Sequence, residues 1–495
     1  MSKKKPSQTK TAPLHPRVLH VAAEVFPLLK TGGLADVAAA LPAALRGRGV
    51  DARLVVPGFP AILAGVPAPE MVAELGSAFG AARVRLLKSV IPDSGVPVYI
   101  VDAPWLYRRP GNPYLGPDKQ DWPDNTERFA LFGWVAAQLA AGCIDEHWQA
   151  DILHAHDWHA ALAPAYLRAR PYNTVRTIYT IHNLAYQGLF PLAKVASLGL
   201  PEWMTRRNGI EFYGQASFMK AGLVYADRLT TVSPRYAYEI TTKEFGVGLE
   251  GVLFERRDAL SGILNGIDEQ VWNPEHDHWL NTHYTAYDLA GKAKLKAALQ
   301  ADMGLNVDPA VPLAVMVSRL TDQKGADLLL AALPAMRNLG MQLALIGSGN
   351  PHFEEAFRQA AELDPGRVAV HIGYDEPMSH RLIAGGDIIL VPSRFEPCGL
   401  TQMYGLRYGT LPVVRNVGGL SDTVVEFGRA EHSAGNGFVF NRAELDDFVA
   451  ALSRAASLWQ DGSAWHARML TAMGCDNGWS RSAEAYVGLY RALLG

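Results

Sequence analysis

The chain has 495 residues, 49% of them hydrophobic and 19% charged, with a net charge of -3. That length calls for more than one domain, and the near-neutral charge gives no general reason to expect nucleic acid as a partner. Its three cysteines, at 143, 398 and 475, form no CxxC pair, which argues against a disulfide framework or a zinc ribbon and fits a reducing, cytoplasmic setting.

Residues 1–16, MSKKKPSQTKTAPLHP, are basic and polar and lack the apolar core of a secretory signal. They are expected to form a disordered tail. The run Arg17 to Ala23 reads as a strand. A loop ending in Lys30-Thr31-Gly32-Gly33 follows, and then an amphipathic helix, LADVAAALPAALRGRG. ARLVVPG, VPVYIVDAP, DILHAHD, TIYTIHN, RLTTVSP and GILNGID read as further strands. Continuous apolar strands separated by helices predict a parallel sheet covered on both faces. The pattern restarts near residue 310 with PLAVMVSRL, MQLALIGSG, RVAVHIGYD, DIILVPS and LPVVRNV, interleaved with helices. No apolar run is long enough to span a membrane. The fold class is therefore α/β, with two doubly wound, Rossmann-like domains. The expected boundaries are 17–268, a polar and aromatic connecting segment over 269–309, 310–475, and a closing helix over 476–495. Ligands of such folds sit beyond the carboxyl ends of the strands, so an interdomain cleft is the expected place for a site.

The stretch HAHDWH, 154–159, invites a metal reading. Its spacing misses a known metal-hydrolase signature by one residue, and on a strand Asp157 points away from His154 and His156. A structural role is expected for His154. Asp157 is expected to cap the helix that follows. His159, in that helix's first turn, is the better functional candidate. In the loop 30–33, glycines permit close approach of a ligand, while free N–H groups and Lys30 suit an anion. The plainer reading of that loop is an ordinary tight turn.

In the second half, Arg319 and Lys324 bracket a turn after a strand, where two cations suit a diphosphate. The turn GSG at 347–349 is a weaker nucleotide signal. The segment SRFEPCGLT, 393–401, is the most informative. Glu396 is placed to accept sugar hydroxyls, and the N–H groups from Cys398, Gly399, Leu400 and Thr401 to meet phosphate oxygens. Cys398 reads as a packed small residue rather than a nucleophile. The plainer reading of Glu396 is a carboxylate favoured by the start of a helix.

Taken in order, KTGGLADV, GNPY…DWPDNTERFALF, HAHDWHA, TIHNLAYQG, NGID…WNP, SRLTDQKG and SRFEPCGLTQMYGLRYGTLPVVRNVGGLSDTV resemble the glycogen and starch synthase family. The resemblance runs from about residue 17 to the end. It implies a GT-B fold and retaining transfer of glucose from ADP-glucose to the non-reducing end of an α-1,4-glucan. Lys30 and Gly33 would then approach the donor diphosphate and sugar, with Asp36 beside them on the acceptor side. Arg319 and Lys324 would neutralise the leaving diphosphate, Glu396 would hold the glucose hydroxyls, His159 and Asn265 would face the sugar, and Tyr374 would lie near the adenine. The closing helix would pack back on the N-terminal domain.

No metal or other cofactor is implied. ADP-glucose and the glucan are the expected partners, without nucleic acid or membrane; oligomeric state is not legible. Related retaining transferases often carry a second Glu eight residues after the first, where this chain has Tyr404. A covalent intermediate therefore lacks an evident nucleophile, and same-face substitution is the expected mechanism. A UDP-glucose transferase, a glucan-binding protein without turnover and a dinucleotide oxidoreductase are the rival readings. The last lacks a full GxGxxG with its acidic ribose partner.

Overall fold

A computed structural model describes residues 15–427 and 435–495. The expected disordered tail lies, but for its last two residues, outside the described residues. The chain divides into two compact units: residues 1–232, 237–263 and 479–495 form one, and residues 233–236 and 264–478 the other.

The first unit is built on a nine-stranded sheet. Its parallel strands run in the order Leu260–Gly262, Arg228–Thr231, Arg176–Ile181, Ile152–His156, Arg17–Val21, Asp51–Pro57 and Pro97–Asp102. The hairpin Glu70–Ala78 and Ala81–Val90 adds the antiparallel edge. The strand Ile152–His156 is buried at every position, as a strand covered on both faces must be. On one face the helix Gly33–Arg46 packs with the last helix, Trp479–Leu494, through Val37, Leu41 and Leu45 on one side and Ala483, Tyr486 and Tyr490 on the other. That contact explains why the C-terminal helix belongs with the N-terminal sheet: its apolar stripe finds its cover there.

The second unit holds a six-stranded, wholly parallel sheet in the order Val368–Ile372, Gln342–Gly347, Leu313–Val317, Ile388–Val391, Leu411–Arg415 and Phe438–Phe440. Counted along the chain this is the order 3-2-1-4-5-6, so strand order reverses between Leu313–Val317 and Ile388–Val391. In the first unit the same reversal falls between Arg17–Val21 and Ile152–His156. Such switch points open a crevice beyond the strand ends, and they select the loops that carry function.

The segment 269–309 is not a separate connection. It belongs to the second unit and contains the helix Ala290–Asp302. Trp272 is stacked between His380, at 3.7 Å, and Tyr404, at 3.8 Å. The Lys292 ammonium donates to Ala384 O and Thr410 Oγ1, and Lys296 pairs with Asp387 at 2.7 Å. The polar and aromatic composition that suggested a linker is a set of buried anchors. The units meet in sequence at 263/264 and 478/479, against the expected 268/269 and 475/476. Among the described residues no helix is long and apolar enough to cross a membrane.

Candidate active site

Apart from Tyr374, the candidate residues of each unit gather at its own switch point. In the first, the chain leaves Arg17–Val21, passes Glu24 and reaches the loop Lys30–Gly32. Gly32 is the N-cap of the helix Gly33–Arg46, has no side-chain cap, and has open space where a Cβ would stand. Gly33 is exposed. Lys30 and Asp36 are brought together as an ion pair at 3.1 Å, with the Lys30 ammonium 5.4 Å above the Phe26 ring.

Glu24, only 3% exposed, holds this loop. Its carboxylate accepts the Thr31 backbone N–H at 2.5 Å and the Thr31 hydroxyl at 2.6 Å, and it also accepts the Tyr114 hydroxyl. The Tyr114 ring in turn stacks on His159, centroids 4.4 Å apart.

His159 lies in the short helix Asp157–Ala160, which starts where Ile152–His156 ends. Asp157 does not cap that helix, as the sequence led us to expect. Its backbone is left-handed, with φ of 57°, and its carboxylate accepts the N–H groups of His182, at 2.8 Å, and Asn183. Those two groups lie at the end of the neighbouring strand and, unlike the helix's own N–H groups, are within reach. Burial pushes the Asp157 carboxyl up to about 7, opposed by those two hydrogen bonds. Burial pushes His159 down to about 3, so its imidazole is neutral at physiological pH. Its buried Nδ1 has no hydrogen-bond partner.

His154 has both ring nitrogens engaged, 2.9 Å from the Tyr490 hydroxyl and 2.6 Å from Thr180 Oγ1. His156 links His20, at 3.1 Å, to His182, at 3.0 Å. His20, His154 and His156 bring ring nitrogens within 4.8 Å of one another, a spacing that a metal ion could share. Their rings are stacked or tilted upon each other, with centroids 4.3–5.4 Å apart, and desolvation depresses all three. The three rings form a buried polar layer beneath the last helix in which His154 and His156 are fully hydrogen-bonded and only His20 Nε2 lacks a partner.

In the second unit, Glu396 follows the strand Ile388–Val391 and is 5% exposed. Its Oε2 accepts the Lys324 ammonium at 2.5 Å and the Ser393 hydroxyl at 2.8 Å. Arg319, on the same turn as Lys324, is exposed. Arg394 latches the two turns, pairing with Asp327 at 2.6 Å while its N–H donates to Gln323 O. Gly418 has φ of 47°, and a Cβ there would collide with the Glu396 carbonyl oxygen. Only glycine lets the 417–419 segment press against the Glu396 turn, where the Gly419 N–H donates to Glu396 O at 3.0 Å. The GSG turn is likewise a packing device: a Cβ on Gly347 would strike Ser318 O.

Cys398 is buried, and burial pushes its thiol up to about 12 despite the Asn265 N–H that meets it. Asn265 is buried with an unpartnered Oδ1. Gly399 takes φ of 73°, Leu400 is the N-cap, and Thr401 opens the helix Thr401–Arg407. The buried Gln402 amide donates to Cys398 O, Gly399 O and Thr423 Oγ1 and so fixes that turn. Tyr404 is no hidden second acid: it is stacked on Trp272. Tyr374, 68% exposed, follows the edge strand Val368–Ile372, two strands from the switch point, with its hydroxyl on Glu376.

The family model for the starch synthase catalytic domain matches residues 17–255, and that for glycosyl transferases group 1 matches residues 304–466. The glycogen synthase of Leptothrix cholodnii is 52% identical over 491 residues, 96% of this chain and 99% of that protein. The chain belongs to the glycogen and starch synthase family. Another member, from Edwardsiella ictaluri, is 52% identical over 96% of this chain and all of that one. Among solved structures, the catalytic domain of starch synthase IV from Arabidopsis thaliana, bound to ADP and acarbose, matches with a TM-score of 0.88 and 31% identity, covering 97% of this chain and 99% of that one. A sucrose-phosphate synthase from Thermosynechococcus elongatus, 17% identical with a TM-score of 0.59, shares the fold alone.

For this synthase family member, sequence reasoning missed Glu24, the partnership of Tyr114 with His159, the clip made by Asp157, and the support from Ser393, Gln402 and Gly418. An acidic residue directly after an apolar strand, with a Thr seven residues on, was the one available signal for the first.

Proposed function

We propose that this chain transfers glucose from ADP-glucose to the non-reducing end of an α-1,4-glucan with retention of configuration, and so builds glycogen. The observation that carries the reading is the Glu396–Lys324 pair at the second unit's switch point, in a chain half-identical to glycogen synthases over nearly its whole length. The nucleotide and the sugar mimic bound by the starch synthase neighbour support the substrate classes.

Glucosyl transfer breaks the C1–O bond to the diphosphate, with positive charge at C1 and negative charge growing on the leaving group. Arg319 and Lys324 supply cations for that charge, and Lys30 a third. Glu396 accepts hydroxyl hydrogens of the glucose ring. The neutral His159 and the Asn265 amide each bring an orphaned polar atom that a sugar hydroxyl satisfies. The acceptor oxygen then bonds to C1 on the face the diphosphate leaves, and its proton passes to a departing phosphate oxygen. Tyr404 and the high thiol of Cys398 leave no evident nucleophile for a double displacement. No divalent metal is invoked, because the cationic side chains fill that role.

The test is incorporation of labelled glucose into glycogen from ADP-glucose and from UDP-glucose, each with EDTA. Selective, EDTA-resistant incorporation from ADP-glucose is expected. Incorporation from UDP-glucose alone would reassign the donor. Activity only on restoring metal would return His20, His154 and His156 to consideration as ligands.

A further inference from the structure

We infer that Glu24 is a positioning residue for glucosyl transfer: its carboxylate fastens the glycine-rich loop to the aromatic ring that lies on His159. The inference rests on the glucosyltransferase reading above. Glu24 touches no reacting atom in that scheme, and it acts through its partners.

Three donors converge on this one buried carboxylate. Two come from Thr31, whose N–H and hydroxyl lie 2.5 and 2.6 Å away, one residue from Lys30 and one from Gly32. The third is the Tyr114 hydroxyl, from a segment ninety residues distant in sequence. Hydrogen bonds to a carboxylate are shorter and stronger than neutral ones, the more so when buried. Tyr114 is itself held from behind: its N–H donates to Asn112 Oδ1 at 2.8 Å, and its carbonyl accepts from Asn125 at 3.0 Å. The ring is therefore fixed at both ends. It lies flat on His159, 4.4 Å away and tilted by 21°. That stack, together with Trp158 and Phe129 against the same ring, orients the imidazole and so its unpartnered Nδ1. Glu24 ties it to the loop bearing Lys30. Without the carboxylate, the loop keeps the Val25–Leu29 backbone bonds and the Lys30–Asp36 pair but loses the two bonds that hold Thr31 beside Gly32 and Gly33, and the helix start has no side-chain cap to replace them. A misplacement of about 1 Å in a reacting site costs on the order of a hundredfold in rate.

Three variants test this. Glu24→Gln keeps the shape and weakens the acceptor, Tyr114→Phe removes only the hydroxyl, and Glu24→Gln/Tyr114→Phe combines them. Backbone hydrogen exchange of the peptide spanning residues 26–34 is read alongside kcat and KM for ADP-glucose. In Glu24→Gln that peptide is expected to exchange about tenfold faster, with kcat down by about ten- to a hundredfold and the melting temperature little changed. Tyr114→Phe should lower kcat less, and the double variant should be no worse than Glu24→Gln alone, the signature of one shared network. Unchanged exchange in Glu24→Gln overturns the clamp. Faster exchange with unaltered kcat, or strictly additive losses, overturns the coupling to transfer. Should Glu24→Gln fail to fold, Tyr114→Phe decides by itself: unaltered kcat overturns the coupling. A wild-type chain that transfers no glucose removes the underlying reading, whereas the exchange result still decides whether the clamp exists.

Discussion

The two switch points share a topology and differ in chemistry. At the first, His159 is buried, neutral and stacked among aromatic rings, and the charges on the loop that Glu24 holds, Lys30 and Asp36, pair with each other. At the second, an ammonium and a carboxylate meet directly on turns that reach solvent, with Arg319 exposed beside them. Under the proposed reading, the difference separates two kinds of recognition. A neutral, dry surface suits hydroxyl groups, whose recognition requires satisfied hydrogen bonds rather than charge. A charged turn suits a leaving group whose negative charge grows during the reaction.

The comparison breaks first at Glu396. Glu396→Ala should lower kcat by about a thousandfold, because a preorganised partner of the reacting sugar is lost, while melting changes little. Early melting with normal turnover would make the carboxylate a structural partner of Lys324 and no more. Acid sharpens the contrast next. Burial depresses the folded-state values of His20, His154, His156, His159 and His182 below the ordinary 6.5. The unfolded chain then takes up protons that the folded one refuses, so their stabilising contribution is full above pH 6.5 and lost as pH falls toward 3. At pH 5 the loss is about 2 kcal/mol for each of His20, His159 and His182, held near 3, and His154 and His156 act in the same direction. Asp157, raised to about 7, works the other way and offsets roughly one histidine over that range. Hydrogen exchange at pH 5 should therefore open the last helix and Ile152–His156 before Leu313–Val317. Equal opening of both sheets would remove the histidine layer as the acid-sensitive element.

The elements that declare themselves in sequence are those with continuous apolar strands, and both parallel sheets were legible in that way. The edge hairpin Glu70–Ala78 and Ala81–Val90 was not, because its strands are half-exposed and lack a buried apolar run. The segment around Trp272 misled because stacking on His380 and Tyr404 has no periodicity to betray it. At the site, Lys324 and Glu396 were visible as lone charges in strand-end turns. Glu24 was not, because its partners Thr31 and Tyr114 are distant or chemically plain, and only folding brings three donors to one carboxylate. Asp157 misled for a related reason: a capping residue in the right place was drawn instead to N–H groups of the adjacent strand.

Smaller effects probe the charged turn from either side. Lys324→Ala removes a charge-assisted contact of about 1.5–3 kcal/mol and should lower kcat/KM for the donor by roughly ten- to a hundredfold. Unchanged donor kinetics would take Lys324 out of the site and leave it as the partner that holds Glu396 in place. The smallest expected effect is at Cys398, five residues beyond Ser393. Its thiol is buried, raised to about 12, and meets the Asn265 N–H, so at neutral pH it is protonated and poorly nucleophilic. Cys398→Ser keeps the size and an acceptor for that N–H, and turnover should stay within about threefold of wild type. A loss of a hundredfold, or a glucosyl group trapped on Cys398, would instead place a nucleophile at the second switch point. The charged turn would then carry covalent chemistry, and the division between a neutral, hydroxyl-binding surface and a charge-bearing one would no longer describe the reaction.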